Sequence, residues 1–444
     1  MGNAAEDYSF LEKMDYDEDA MRKTLADFVL PRRPEPDIFY WTKPFEEAVD
    51  YLSDRGLNLF RRVMKGANVN RVIVEDPLTH EDREMIMMGS NSYLGLNNHP
   101  KALAAAHAAI DKYGVGAGSP PHFSGYYDVH RELEKNLAWL KGAEDAIVYP
   151  SGYATNVGVI SCYMGKKDTI ILDKLSHASI IDGAIMSGAK ITTFRHNDMK
   201  SLERVLAQTQ KTAQGDRMVV VEGVYSMDGD IAPLNEIYDL VKKYDAKLMV
   251  DEAHATGVLG KTGKGSPEHF DLEGKIDIVM GTFSKSVGGV GGFIAGKKEV
   301  IKYLRYYSRS YFFAASPTPM QVAAINAAVE VLRDEPEHHQ NLWNNIEYFH
   351  TELKKRGFDI ENTRTAITPI LVGETIKLNN VCLFLHKQGI FVNAVPYPAV
   401  ARKKDRLRLS VSAVHTREDL DAVLAALDEA DKIYKFAKKE EATV

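Results

Sequence analysis

The feature that most constrains this chain is a series of short apolar runs separated by helical patterns. The runs are Ala146-Ile147-Val148-Tyr149, Ile170-Ile171-Leu172, Ile191-Thr192-Thr193-Phe194, Met218-Val219-Val220-Val221, Leu248-Met249-Val250, Ile276-Asp277-Ile278-Val279-Met280 and Gly292-Phe293-Ile294-Ala295. Most lack strict alternation, as strands covered on both faces do. Helical patterns over 201–210 and 234–244 lie between them. Strands alternating with helices predict a three-layer α/β domain around a mostly parallel sheet. We assign 86–333 to this large domain and 334–444 to a smaller α+β C-terminal domain. Helices over 342–356 and 417–434 and strands over 367–372 and 406–412 build the latter. Residues 1–85 read as an N-terminal arm, broken at Arg32-Arg33-Pro34-Glu35-Pro36, with a helix predicted over 45–64.

Bulk properties exclude several classes. A chain of 444 residues exceeds one small domain. Its formal charge of −7 is opposite to the basic surplus of a nucleic-acid binder. Two distant cysteines, Cys162 and Cys382, form neither a disulfide framework nor a zinc-ligand spacing, so a reducing compartment is expected and no metal. The opening Met1-Gly2-Asn3-Ala4-Ala5-Glu6 has no apolar signal core, and Glu6 stands where a myristoylation signal wants Ser or Thr. No run approaches the ~20 apolar residues of a membrane span. The expectation is a cytoplasmic protein.

In open α/β sheets, ligands collect at the carboxyl ends of the strands. Those ends carry Asp173-Lys174-Leu175-Ser176-His177, Glu222-Gly223-Val224-Tyr225-Ser226, Asp251-Glu252-Ala253-His254 and Gly281-Thr282-Phe283-Ser284-Lys285-Ser286. Asp251 could hold a protonated pyridine nitrogen, although an aspartate there could equally cap the next turn. His254 alone reads as a polar loop residue. Lys285 sits in a Ser/Thr/Gly-rich turn whose N–H and hydroxyl groups suit a phosphate. A lysine held there loses its proton more readily than in water and becomes a nucleophilic amine. Most lysines are simply solvated, but Gly281 and the run Gly288-Gly289-Val290-Gly291-Gly292 keep side-chain bulk away from this one. An amine, an acid for a ring nitrogen and a phosphate turn together describe a pyridoxal 5'-phosphate site.

At these residues the chain resembles the α-oxoamine synthases, fold-type-I pyridoxal phosphate enzymes. The matching blocks are Ser90-Asn91-Ser92-Tyr93-Leu94-Gly95-Leu96, Ser151-Gly152-Tyr153-Ala154-Thr155-Asn156, Ser176-His177-Ala178-Ser179, 225–234, Asp251-Glu252-Ala253-His254, 281–286 and Arg406-Leu407-Arg408-Leu409-Ser410. Residues 222–227 and 281–288 are most similar to bacterial serine palmitoyltransferases. The resemblance implies condensation of L-serine with a long-chain acyl thioester such as palmitoyl-coenzyme A. The product would be a 3-keto long-chain base for sphingolipid biosynthesis, made by a homodimer with possible peripheral membrane contact.

The resemblance also implies roles. Lys285 would form the internal aldimine and later take the Cα proton. His177 would stack on the ring, Asp251 pair with its nitrogen, and His254 lie near its phenolic oxygen. Gly152, Tyr153, Thr282 and Ser284 would surround the phosphate, Arg408 bind the substrate carboxylate, and Asn91 and Ser226 lie nearby.

Three segments depart from the family pattern. Gly118-Ser119-Pro120-Pro121-His122-Phe123 replaces a Gly-Ser-Arg on the acyl-donor side, Ala394-Val395-Pro396-Tyr397-Pro398 lacks an arginine, and Phe313-Ala314-Ala315-Ser316 lacks a threonine. An altered acyl carrier or chain is the matching hypothesis. The alternatives are a glycine- or alanine-using synthase, one taking a carrier-protein thioester, or a non-catalytic subunit that kept the fold; Lys285, His177 and Asp251 speak against the last. Gly260-Lys261-Thr262 ends like a phosphate loop but has Ala255 in place of its first glycine. Gly114-Val115-Gly116-Ala117-Gly118 follows a helix rather than a strand, against a dinucleotide site. His338-His339 lacks metal partners at helical spacing and reads as a solvated pair.

Overall fold

The computed structural model describes residues 25–29 and 33–438. The terminal Gly2–Glu6 reading and Arg32 lie outside them. Arg71-Val72-Ile73-Val74-Glu75 buries Val72 and Val74 on one face and forms β1, Arg71–Glu75. It pairs antiparallel with β2, Asp82–Met87. The boundary expected at residue 85 falls inside β2, whose Ile86 and Met87 run parallel to Ile390–Phe391, some three hundred positions away. The helix predicted over 45–64 spans only Thr42–Ser53. Gly56 takes φ +65°, a left-handed conformation suited to glycine, and the N–H of Leu57 returns to the Leu52 carbonyl at 2.8 Å, so the chain turns.

The apolar runs become a seven-stranded sheet. Its strands are β3 Asp145–Tyr149, β4 Thr169–Asp173, β5 Lys190–Phe194, β6 Arg217–Glu222, β7 Lys247–Asp251, β8 Ile278–Thr282 and β9 Gly292–Gly296. The order is β3-β9-β8-β7-β6-β4-β5, and β9 runs against both its neighbours. Side chains alternate between two cores. Ile170, Leu172, Met218, Val220 and Met249 pack on one face, whereas Ile171, Val219, Val221, Leu248 and Val250 pack on the other. Both faces are therefore dry, which explains the absence of a polar alternation in the sequence.

A second sheet of β10 Ile367–Leu371, β12 Asn393–Val395 and β13 Arg406–Ser410 is antiparallel, with β13 central and β11 (Ile390–Phe391) outside it. Helices Glu337–Lys355, Thr375–Lys387 and Arg417–Tyr434 flank it, and the last has a capping box of Thr416 and Asp419. Among the described residues no helix is long and apolar enough to cross a membrane.

Candidate active site

Strand ends deliver the chemistry. Asp173, Glu222, Asp251 and Thr282 are the last residues of β4, β6, β7 and β8. Glu222 and Asp251 are register partners on neighbouring parallel strands. At this edge Gly152, Tyr153, His177, Asp251, His254, Thr282, Ser284 and Lys285 line one cavity of about 270 Å³.

A buried hydrogen-bond chain fixes the acid and the imidazole. Asn156 Nδ2 donates to Asp251 Oδ2 at 2.8 Å and to Ser179 Oγ at 2.9 Å. Ser179 Oγ lies 2.8 Å from His177 Nδ1, and the Ser179 N–H points to the same nitrogen at 3.3 Å. Because Ser179 Oγ accepts from Asn156, its own proton goes to His177 Nδ1, which leaves the ring proton on Nε2. Burial holds the His177 pKa below its ordinary value despite Asp251, so the ring is neutral. The His177 N–H donates to Glu222 Oε1 at 2.6 Å. Burial first, and the adjacent Asp251 second, push the Glu222 carboxyl well above the usual range.

Lys285 is half-buried, and its amine is lowered to about 8 by burial, with Asp251 and Glu222 opposing. Burial, then the cationic Lys285 and Arg408, hold His254 well below its ordinary value. The turn from Asp251 to His254 is anchored from behind. Buried Lys141 meets Glu252 Oε2 at 3.4 Å and Thr256 Oγ1 at 2.7 Å, and the Ser266 N–H donates to the same carboxylate at 2.8 Å.

The other sequence-selected residues gather beside the cavity rather than in its wall. Arg408 Nε donates to the Ser226 carbonyl at 2.7 Å, and Nη2 donates to Asn91 Oδ1 at 3.0 Å. Ser226 thus contributes its backbone, not its hydroxyl.

Comparison with known proteins decides the family. The signature of aminotransferases class I and II matches residues 83–427. The chain is 42% identical to 8-amino-7-oxononanoate synthase of Thermoanaerobacter pseudethanolicus, over 87% of this chain and 96% of that one. It is 39% identical to serine palmitoyltransferase of Sphingobacterium spiritivorum, over 88% and 96%. A serine palmitoyltransferase structure with pyridoxal phosphate as the internal aldimine superposes with a TM-score of 0.85 at 34% identity, over 90% of this chain and all of that one. The chain belongs to the aminotransferase class I and II family. Within it, the chain is an α-oxoamine synthase with the fold-type-I architecture, a pyridoxal-phosphate-dependent acyltransferase.

The residues present fit the cofactor of this family. Ser151 caps the helix Gly152–Tyr163 by accepting from Ala154, and its carbonyl accepts from Thr155. The first N–H groups of that helix, at Gly152 and Tyr153, therefore remain for an anion. Thr282 Oγ1 and Ser284 Oγ stand 3.0 Å apart, and a Cβ on Gly152 would lie 2.8 Å from Thr282 Oγ1, closing this cradle. Asp251 and Lys285 supply the acid and amine.

Four functional neighbours escaped the sequence reading: Tyr93, Asn156, Ser179 and Glu222. All lie within or beside the quoted blocks. Asn156 falls one helical turn after Gly152, on the same face, and that spacing was the available signal.

The rival motifs are accounted for by other contacts. The 260–264 loop is occupied by the carboxylate of Glu268, which accepts from Thr262 N and Lys264 N, each at 3.1 Å. His338 approaches Glu335 and His99, but Lys101 Nζ already holds that carboxylate at 2.6 Å. His339 is not a solvated residue as predicted: it is half-buried, and its Nε2 meets the Val258 carbonyl at 3.0 Å. In the departing loop, His122 stacks near Phe312 and reaches the Arg305 carbonyl, while Phe123 is left exposed.

Proposed function

We propose that this α-oxoamine synthase condenses L-serine with a long-chain acyl thioester, with palmitoyl-coenzyme A as the first choice. One new carbon–carbon bond joins the serine Cα to the acyl carbonyl; carbon dioxide and the free thiol leave. The reading rests on a single arrangement: an amine of lowered pKa, Lys285, shares a cavity with Asp251 and His177, while Arg408 waits beside it with Nη1 weakly engaged, 3.4 Å from Ser410 Oγ.

Pyridoxal phosphate, when bound, supplies an electron sink for the pair released at Cα. Lys285 is the amine that would hold the cofactor, and its side chain would carry the proton taken from Cα. Asp251, held by Asn156 and by the Ala253 N–H at 2.9 Å, would pair with the ring nitrogen. His177, in the cavity wall, would cover the cofactor and exclude water from it. His254 orients the phenolic oxygen. Gly152, Tyr153, Thr282 and Ser284 hold the phosphate. Arg408 binds the amino-acid carboxylate as a charge-assisted pair, with Asn91 and the Ser226 carbonyl fixing the guanidinium plane.

The same reading takes the working form as a homodimer. An exposed aromatic surface supports it: His122 links Tyr306 and Phe312, and Phe312 meets Phe313, which is 71% exposed. It also divides the chain at about residues 85 and 333, and allows contact with a membrane surface where a lipid-like product leaves.

A second reading has its own support. Relatives named 8-amino-7-oxononanoate synthase reach 44% identity, and a product of that name carries a carboxylate at the end of its acyl portion. An amino-acid panel read by cofactor absorbance, then a thioester panel read by product mass, separates the two. L-serine should shift the spectrum strongly while glycine and alanine do so weakly. A clear preference for alanine and a carboxylated acyl group would replace the serine reading.

A further inference from the structure

A small cavity of about 110 Å³ lies where the turn after the helix Thr42–Ser53 meets the β1–β2 hairpin and the helix Thr375–Lys387. Its lining is partly apolar because two small cores meet there: Val74 and Met85 belong to one, Leu57 and Leu383 to the other. Four cations also line it, Arg55, Arg62, Arg83 and Lys387, against two carboxylates, Glu75 and Asp76. Buried His386 adds no charge, since burial holds its pKa at about 4.

The acids are already engaged. Glu75 meets Lys65 at 2.9 Å and His80 at 3.0 Å, neither of which lines the cavity. Asp76 Oδ1 accepts from the N–H groups of Leu78 at 2.9 Å and Thr79 at 3.1 Å. The arginines have only neutral acceptors or none. Arg55 Nη1 donates to the Tyr51 carbonyl at 3.2 Å, and Arg83 Nη1 donates to the Lys387 carbonyl at 3.3 Å. Arg62 is half-buried, and its Nε is shut off from solvent with no hydrogen-bond partner among the described residues. Burial, opposed by Asp76, lowers its pKa, yet a guanidinium keeps its proton. Leaving such a donor dry and unbonded is costly, so an acceptor from outside the chain would be stabilising.

We propose that this cavity is a binding site for a phosphate-class oxyanion, held by Arg62 with Arg55 and Arg83. A dianion balances the excess of cations over carboxylates. Guanidinium forks match such oxyanions two bonds at a time, and the apolar lining strengthens each charge-assisted bond. The volume is that of roughly three or four waters, enough for one phosphate group and too small for a nucleotide base beside it. The bound anion joins segments distant in sequence, the turn at Arg55 and the hairpin at Arg83, and so holds the N-terminal helix to the body of the chain. This site does not depend on which amino acid or thioester is condensed. Its phosphate could be free or could belong to a coenzyme A donor, and the test separates the two.

The test uses the full-length holoenzyme, whose cofactor fills the active-site phosphate cradle, titrated calorimetrically with inorganic phosphate at fixed ionic strength. One site per chain with a Kd of about 1 mM or tighter is expected. Arg62→Gln should weaken it about tenfold or more, the size of one charge-assisted hydrogen bond. Arg83→Gln, at an exposed position where the fold is not at risk, should do the same. Lys43→Gln removes an exposed charge outside the cavity and should leave Kd unchanged. Cofactor absorbance and turnover, retained in all three variants, show that they are folded. No saturable binding up to about 20 mM phosphate, or an equal loss in Lys43→Gln, overturns the site. So does an unchanged Kd in both arginine variants. Coenzyme A is then added to the phosphate-bound wild type. Displacement of phosphate assigns the site to the thioester donor, and retention assigns it to free phosphate; either result keeps the site.

Discussion

The phenol oxygen of Tyr93 lies 2.7 Å from Nδ1 of His254, with both side chains buried. The same oxygen is 3.3 Å from Asn91 Oδ1, to which Arg408 donates at 3.0 Å. A single hydrogen-bonded path thus joins the imidazole beside the cofactor ring to the guanidinium proposed for the substrate carboxylate. Burial pushes the Tyr93 hydroxyl up to about 12, so it stays protonated and can donate at any working pH.

Tyr93→Phe removes the middle of this path while filling the same space. We expect kcat/KM for the amino acid to fall about tenfold, the size of one lost hydrogen bond to an oriented group. Thermal stability should change little by comparison. Steady-state kinetics and a melting curve check both; unchanged kcat/KM would remove Tyr93 from the positioning machinery.

Lys285 sets a pH dependence. Only the neutral amine attacks an aldehyde, and its folded pKa is about 8 rather than the ordinary 10.5. Capture of pyridoxal phosphate by the cofactor-free protein should therefore rise about tenfold per pH unit below 8 and level off above it. Stopped-flow absorbance measures the rate. The linked stability has the same direction: between about 8 and 10.5 the unfolded chain binds more protons, so the cofactor-free fold gains stability as pH rises.

Asp251→Asn replaces the acid proposed to pair with the ring nitrogen, and turnover should fall by about 100-fold or more. Asn156→Ala leaves Asp251 in place but frees its Oδ2 and the Ser179 hydroxyl, so a smaller loss, about tenfold, is expected. Equal losses for the two would show that Asn156 does more than orient the acid. Turnover and the cofactor spectrum together separate the cases.

The contrast between these two residues shows what the sequence made legible. Asp251 and Lys285 end or follow apolar strands, and a local pattern therefore exposed them. Asn156 sits inside a helix whose apolar residues face several directions, and its partner lies 95 positions away. Tyr93 depends on a contact across 161 positions. Six of the seven strands were readable because they are buried on both faces, and the largely exposed edge strand β5 because of its Ile-Thr-Thr-Phe run. The β1–β2 hairpin was not, since its pairing to Ile390–Phe391 is stated only by the folded chain. The helix Thr42–Ser53 was overextended because Leu57 and Leu59 continue an apolar rhythm that Gly56 interrupts.

His196 gives a stability prediction independent of catalysis. Burial opposes its charge, but Asp173 at 3.0 Å and Asp230 at 2.8 Å outweigh it and raise the pKa to about 10. The unfolded value is about 6.5, so this contribution is complete below 6.5 and is lost as pH rises toward 10. Denaturant melts of wild type and His196→Gln should differ most near pH 6 and converge near pH 10. A difference that grows with pH would contradict the charged triad.

The central claim is that the amine at position 285 carries the cofactor covalently. Treat the native holoenzyme with sodium borohydride, digest it, and map the pyridoxyl tag by mass spectrometry. The tag is expected on Lys285 alone, and Lys285→Ala should carry none. A tag on another lysine of the native enzyme, or no tag on a protein that holds its cofactor absorbance, would contradict the account.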